Sequence, residues 1–234
     1  MSWNPSPTSP LRSDASARPT TVPAALLTQA FIWMFAGLLL TAGVAAVVQT
    51  SSGLLEFTKS NFMLLIIGQL VVVFAINLGI NRLGATAALG LFFVYAAALG
   101  LTVGLIVSAY TTTSVTTAFL SAAAMFGGAA LYGATTKRSL VGIGGILSMA
   151  VIGLIVALVI NIFLPSGPFG LLLSVAGVII FTALTAYNVQ RIQAGDLVAR
   201  YGSVEKAAVI GALALYLDFV NIFLFLLRIF GSRR

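Results

Sequence analysis

The 234-residue sequence contains no cysteine and no histidine. These absences exclude disulfides, thiolate or imidazole metal sites, Ser-His and Cys-His catalysis, and a histidine pH switch. Charge is scarce too. Asp, Glu, Lys and Arg make up 7% of the chain, against about 25% in an average soluble domain. Twelve basic and five acidic residues cannot clothe a soluble globule, and residues 86–136 contain no charged residue at all. The formal charge of +7 is spread too thinly for nucleic-acid binding. What the chain has in abundance is apolar side chains, 60% of its residues. Their long runs predict membrane spans.

Residues 1–23 differ from the rest. They hold five of the seven prolines, with Arg12, Asp14 and Arg18 among Ser and Thr. Such a segment buries too little surface to offset its chain entropy, so a disordered tail is expected. A signal peptide is the competing reading. The polar lead is long, and the apolar run from Ala24 to Val48 exceeds the usual h-region of about 7–15 residues. An uncleaved first span is therefore expected, opening a membrane domain over 24–234.

Apolar segments lie near 24–48, 62–80, 86–110, 115–136, 140–164, 169–188 and 207–229. Each is long enough to cross about 30 Å of hydrocarbon at about 1.5 Å per residue. The fold class is thus an all-α integral membrane protein with about seven spans. Only Thr111-Thr112-Thr113-Ser114 separates the third span from the fourth. The segments Gln49–Asn61 and Val189–Lys206 read as connections. With the N-terminus inside, Arg12, Arg18, Arg82, Lys137, Arg138, Arg191, Arg200 and Lys206 fall inside and Lys59 alone outside, before the last segment is counted. That bias places the N-terminus in the cytoplasm. A last segment that crosses fully carries Arg228, Arg233 and Arg234 outward, and one that re-enters keeps them inside.

Lipid supplies no hydrophobic drive between spans, so close packing depends on small residues. Ala96, Gly100, Gly104 and Ser108 form such a face on the third span. Gly127, Gly128, Gly133, Gly142, Gly144 and Gly145 are expected to act similarly in the next two. Gly142-Ile143-Gly144-Gly145 lacks a following Lys-Ser/Thr pair, which excludes a phosphate loop.

One ionisable residue stands at membrane depth. Asp218 lies midway between Ala207 and Ile229, where an unpartnered carboxylate costs several kcal/mol. Gly211, Asn221 and Arg228 share its side of the helix at about 100° per residue. Tyr216, Ile222 and Phe223 occupy the other side, so this last helix belongs in the middle of the bundle. Arg228 is too far along the axis to pair with Asp218 and is expected to snorkel to the interface. The sixth span carries a second polar stripe, Thr182, Thr185, Asn188 and Arg191. Asn188 reads either as a helix-end cap or interhelical amide, or as a residue facing Asp218. Gln69, Asn77 and Asn81 offer further oxygens or serve as packing amides. Trp33 and Tyr110 read as interface or core aromatics.

Ala214–Gly231 reads ALYLDFVNIFLFLLRIFG and Ala186–Ile192 reads AYNVQRI. With these two blocks the chain resembles the Bax inhibitor-1 family over residues 24–231. The resemblance implies a helical bundle around a central last helix in a bacterial cytoplasmic membrane. It also implies passive, pH-sensitive calcium leak, association of some bacterial members with a membrane-anchored protease, and in eukaryotes suppression of cell death. The family's sensor is a pair of aspartates. Asp218 matches one, and Asn188 stands where the family usually has the other. Two close carboxylates share a proton and titrate as a coupled pair, whereas Asn188–Asp218 holds at most one negative charge.

The function expected is a passive cation leak, of calcium or protons, with Asp218 and Asn188 on the pathway and Asn221, Arg191 and Thr185 as supporting polar groups. Gly100, Gly104 and Gly211 are the packing positions. The alternative is a regulator of a membrane-anchored protease or other membrane partner, acting through the tail and the 189–206 segment. An enzyme is not expected, because one buried acid does not make an acid–base pair. No cofactor is expected, with calcium at most a permeating ion. One carboxylate among carbonyls falls short of the about 6–8 oxygens a calcium site takes.

Overall fold

The computed structural model describes residues 21–164 and 166–232. Residues 1–20 of the expected tail lie outside them, as do Arg233 and Arg234. Nine helices occur among the described residues: α1 (Thr21–Thr50), α2 (Ser52–Ser60), α3 (Phe62–Gly79), α4 (Ala85–Ser108), α5 (Thr112–Thr135), α6 (Val141–Phe163), α7 (Gly167–Gln193), α8 (Asp196–Tyr201) and α9 (Val204–Phe230). Seven are long and apolar enough to cross a membrane. In lipid a helix is one of the few ways to satisfy every backbone polar group within a single segment.

The two long connections are themselves partly helical, which corrects the expected boundaries. Ser51 caps α2, its side chain accepting from the Leu54 amide. Leu54 and Phe57 are exposed on that short helix while Thr58 is buried. Helix α7 continues past Asn188 to Gln193 because polar residues tolerate a helix end at the interface as well as a loop does. Helix α8 follows between Gly195 (φ 77°) and Gly202 (φ 68°), both in the left-handed region that favours glycine. Ser203 then opens α9, its hydroxyl accepting from the Lys206 amide at 3.3 Å. The thin break between the third and fourth spans is real. Thr111 caps α5, accepting from the Ser114 amide at 3.3 Å.

Hydrogen bonds between connections fix which ends of the helices lie together. Gln190 donates to the Arg138 carbonyl at 2.8 Å and accepts from the Leu140 amide at 2.7 Å. Lys206 donates to the Asn81 carbonyl at 3.4 Å. The α3–α4, α5–α6 and α7–α8–α9 connections therefore share one end. At the other end the Thr111 amide donates to the Ser232 carbonyl at 3.1 Å, and the Ser232 amide to Ser114 Oγ at 3.0 Å. Helix α9 thus crosses the bundle fully and does not re-enter.

Helix α9 is the axis. It packs against α1, α4, α5, α7 and α8, and buries residues on all its sides, from Ala207 to Leu227. Helices α3 and α6 lie at the periphery and expose apolar side chains such as Met63, Leu70, Phe74, Met149 and Ile152. This is the inside-out distribution that a lipid solvent permits.

The small-residue face of α4 lies on α1. A Cβ at Gly100 would fall 2.7 Å from Val44 Cβ, and one at Gly104 would fall 2.9 Å from Val48 Cβ and 3.0 Å from the Ala45 backbone. The wider glycine expectation needs correction. Gly133 abuts the Ala186 backbone and Gly144 the Tyr187 ring, but Gly127, Gly128, Gly142 and Gly145 have open space where a Cβ would go. Their side of the helix is not a packed seam, so composition alone overstates the number of contacts. Gly104→Leu is expected to lower thermal stability in detergent by about 1–3 kcal/mol through overpacking. Gly127→Ala should be neutral or stabilising by up to about 1 kcal/mol. Equal effects of the two substitutions would contradict this assignment.

Candidate functional site at the α7–α9 seam

Helices α7 and α9 run antiparallel and meet along their length. Gly177 on α7 admits the Phe225 ring of α9. Gly211 on α9 receives Ile192 of α7 and Ala30 of α1, where a Cβ would stand 3.0 Å from Ile192 Cδ1 and 3.3 Å from Ala30 Cβ. Between these close approaches Asn188 Nδ2 donates to Asp218 Oδ2 at 2.7 Å. Asn188 is thus neither a cap nor a bystander; it faces Asp218.

Asp218 is 3% exposed. Among the described residues Asn188 is its one hydrogen-bond donor, and no Lys or Arg pairs with it. A carboxylate in that position has one neutral partner for up to four acceptor sites. Only a proton, water or a cation compensates the rest. No group of three or more His, Cys, Asp or Glu occurs among the described residues. A lone carboxylate with a neutral amide falls short of the about 6–8 oxygens that a calcium cage takes.

The other polar residues of the two stripes do not gather here. Thr185 is fully buried, and its hydroxyl donates back to the Phe181 carbonyl at 2.9 Å. Asn221 donates to the Leu217 carbonyl of its own helix at 2.7 Å. Thr182 Oγ1 is buried with no hydrogen-bond partner. Arg191 points into a separate crevice with Arg200 and Tyr201. Arg228 is exposed, and its guanidinium lies against Gly170 near the far end of α9. A spacing of three residues advances about 300° around a helix, so such a stripe winds away from any one neighbour. Gln69 of α3 ties to α4 instead, donating to the Ala98 carbonyl at 2.9 Å and to Thr102 at 3.2 Å. Asn77 donates to the Val73 carbonyl of its own helix at 2.9 Å, and Asn81 supplies the carbonyl that Lys206 contacts.

Two features were not singled out from sequence. Next to Asp218, Phe219 stacks edge-on against Phe119 and Phe126 at 5.7 and 5.6 Å, and Phe119 reaches Phe223 at 6.3 Å. Phe225 stacks with Phe181 at 6.1 Å. The Phe181–Phe225 pair fills the α7–α9 seam between Asp218 and the end marked by Ser232, while the Phe219 cluster packs α9 against α5. On the other side of α9, the Tyr216 hydroxyl pairs with Thr41 at 2.5 Å, and Thr41 also donates to the Gly37 and Ala96 carbonyls, 2.9 Å from each. That hydroxyl cluster joins α1, α4 and α9. Its signal was Thr41, a hydroxyl deep inside the apolar first span.

The chain matches the family described as "Inhibitor of apoptosis-promoting Bax1" over residues 24–234. This chain belongs to the Bax inhibitor-1 family. It is 41% identical over 229 residues to the inner membrane protein YbhL of Escherichia coli K12, covering 95% of this chain and 98% of that one. A protein of Deinococcus radiodurans is 41% identical over 208 residues, 88% of this chain and 90% of its own. One from Borreliella burgdorferi is 38% identical over 213 residues, 89% and 92% respectively. The chain is an integral membrane protein, and its likeness to an inner membrane protein supports the bacterial cytoplasmic membrane.

Asn188→Leu leaves the buried Asp218 without a donor and is expected to lower thermal stability by about 1–3 kcal/mol. Removing both groups in N188L/D218L should recover most of that loss. An N188L protein as stable as wild type would show that the hydrogen bond carries no weight.

Proposed function

We propose that this protein is a passive cation leak pathway of the bacterial cytoplasmic membrane, held shut here by the α7–α9 seam. The observation that carries the reading is one buried acid bridged to the neighbouring helix by a single neutral amide. Asp218 makes the path attractive to a cation such as calcium or a proton. Asn188 occupies its open valence while the helices are closed. Phe181 and Phe225 form a dry constriction beyond it along the same seam, of the kind that gates by excluding water. Separation of α7 from α9 by a few ångströms breaks the one polar contact between them, about 1 kcal/mol net, and loosens the Gly177–Phe225 and Gly211–Ile192 packing. Water entering the gap then hydrates Asp218, and a continuous polar path forms. Following the charge bias, the end with Arg82, Lys137, Arg138 and Lys206 is cytoplasmic.

In this reading Asp218 titrates without a second carboxylate beside it. The coupled pH response of an aspartate pair is therefore not expected of the wild-type chain. In proteoliposomes, Asp218→Asn should reduce calcium or proton flux severalfold and weaken the preference for cations over anions. Glu56→Gln, at an exposed acid on α2, should leave both unchanged. Equal flux from wild type and D218N would remove Asp218 from the pathway.

A further inference from the structure

A crevice of about 320 Å³ opens at the end of the bundle that holds the α3–α4 and α7–α8 connections. Its walls come from α3, α7, α8 and α9, and the residues that matter are Asn77, Arg191, Arg200, Tyr201, Leu213 and Leu217. It exists because α3 leans chiefly on α4 and does not close against α7 or α9. Two left-handed glycines hold α8 across its end and so fix where Arg200 projects.

Its charge is unbalanced. Arg191 and Arg200 both line it, and no carboxylate does. Neither guanidinium has a hydrogen bond or ion pair among the described residues; Arg200 stacks over the Tyr201 ring, 5.6 Å from its centre. The acids of the adjoining segments do not neutralise them. Glu205 accepts from the Ser203 hydroxyl at 2.6 Å, and Asp196 sits in the first turn of α8, where the helix dipole favours it. The floor, Leu213 and Leu217 with Ile210, is apolar. On the α3 side the wall continues into Leu78, 80% exposed, and the exposed Phe74 one turn further along the helix.

Two unpaired guanidiniums above an apolar floor, at a helix-end depth and open toward lipid, make a specific demand. They require an anion with several acceptor oxygens attached to an apolar body. We propose that the crevice binds the headgroup phosphate of an anionic phospholipid, with Arg191 and Arg200 as the phosphate ligands and the acyl chains running along α3. Guanidinium forks match phosphate oxygens in pairs, and basic pockets between spans are suited to anionic headgroups. Arg191 stands one helical turn from Asn188, and Leu217 is the neighbour of Asp218. A bound headgroup thus rests against both sides of the seam. The assignment does not depend on ion conduction.

The test uses the full-length protein in detergent, titrated separately with phosphatidylglycerol, phosphatidylcholine and inorganic phosphate. Thermal midpoint and lipid retained in native mass spectrometry are both read. Phosphatidylglycerol should raise the midpoint by several degrees and be retained over phosphatidylcholine at least fivefold. R191Q/R200Q should lose both effects, while Arg82→Gln, an exposed charge at the same end, should keep them. Undiminished phosphatidylglycerol retention by R191Q/R200Q overturns the proposal. So does a midpoint shift that inorganic phosphate reproduces in full, which would mark a soluble-anion site. Should the double variant fail to fold, the wild-type retention decides: equal retention of the two lipids overturns the assignment, and selective retention supports it.

Discussion

Asn188 and Asp218 meet across 2.7 Å in the middle of a bundle in which Asp218 is the one buried charged residue among those described. An acid at that depth is costly unless something answers it, and the amide answers only one of its lone pairs. The rest of the architecture can be read as accommodation of this contact. Close approaches at Gly177 and Gly211 bring α7 and α9 near enough for a short side chain to reach. The other helices around α9 exclude lipid from it. Because α9 is surrounded, the acid faces protein on every side.

The packing of α1 and α4 is different in kind. There the Gly100 and Gly104 contacts and the Thr41–Tyr216 cluster make a seam with no titratable charge. It has several reinforcing contacts where the α7–α9 polar contact has one. In the proposed reading the opening motion is on the α7 side. The guanidinium pair at the end of α7 bears on this. On the proposed pathway, unneutralised Arg191 and Arg200 would repel a cation approaching from that end, and a lipid phosphate between them would weaken the barrier and couple membrane composition to the seam.

Much of this was legible in the sequence. The seven spans follow from apolar run length, and Asp218 stands out because it is the lone acid at depth in a chain with few charges. Its partner was visible only as one of two readings of Asn188, since helix periodicity fixes which residues share a face but not which neighbour that face meets. The same limit explains the stripe that dispersed: Thr185 and Asn221 satisfy themselves on their own helices, and Arg191 turns outward. Glycine composition promised contacts at Gly127 and Gly142 that the fold does not make. Helices α2 and α8 escaped notice because short interfacial helices are set by caps and left-handed glycines, not by hydropathy. Arg200 and Arg191 are nine residues apart in sequence and line one crevice because Gly195 turns the chain.

The most direct test is to restore the second acid. In an Asn188→Asp protein the two carboxyl groups cannot both ionise at contact distance. At low pH they share a proton, which keeps α7 on α9. As pH rises through the pair's upper apparent pKa both become charged and repel, so the seam opens. Cation flux of N188D in proteoliposomes should therefore gain a second, upper step with pH that the wild-type chain, with its single acid, lacks. An N188D protein whose flux follows the same pH profile as the wild type would contradict the claim that this contact controls the pathway.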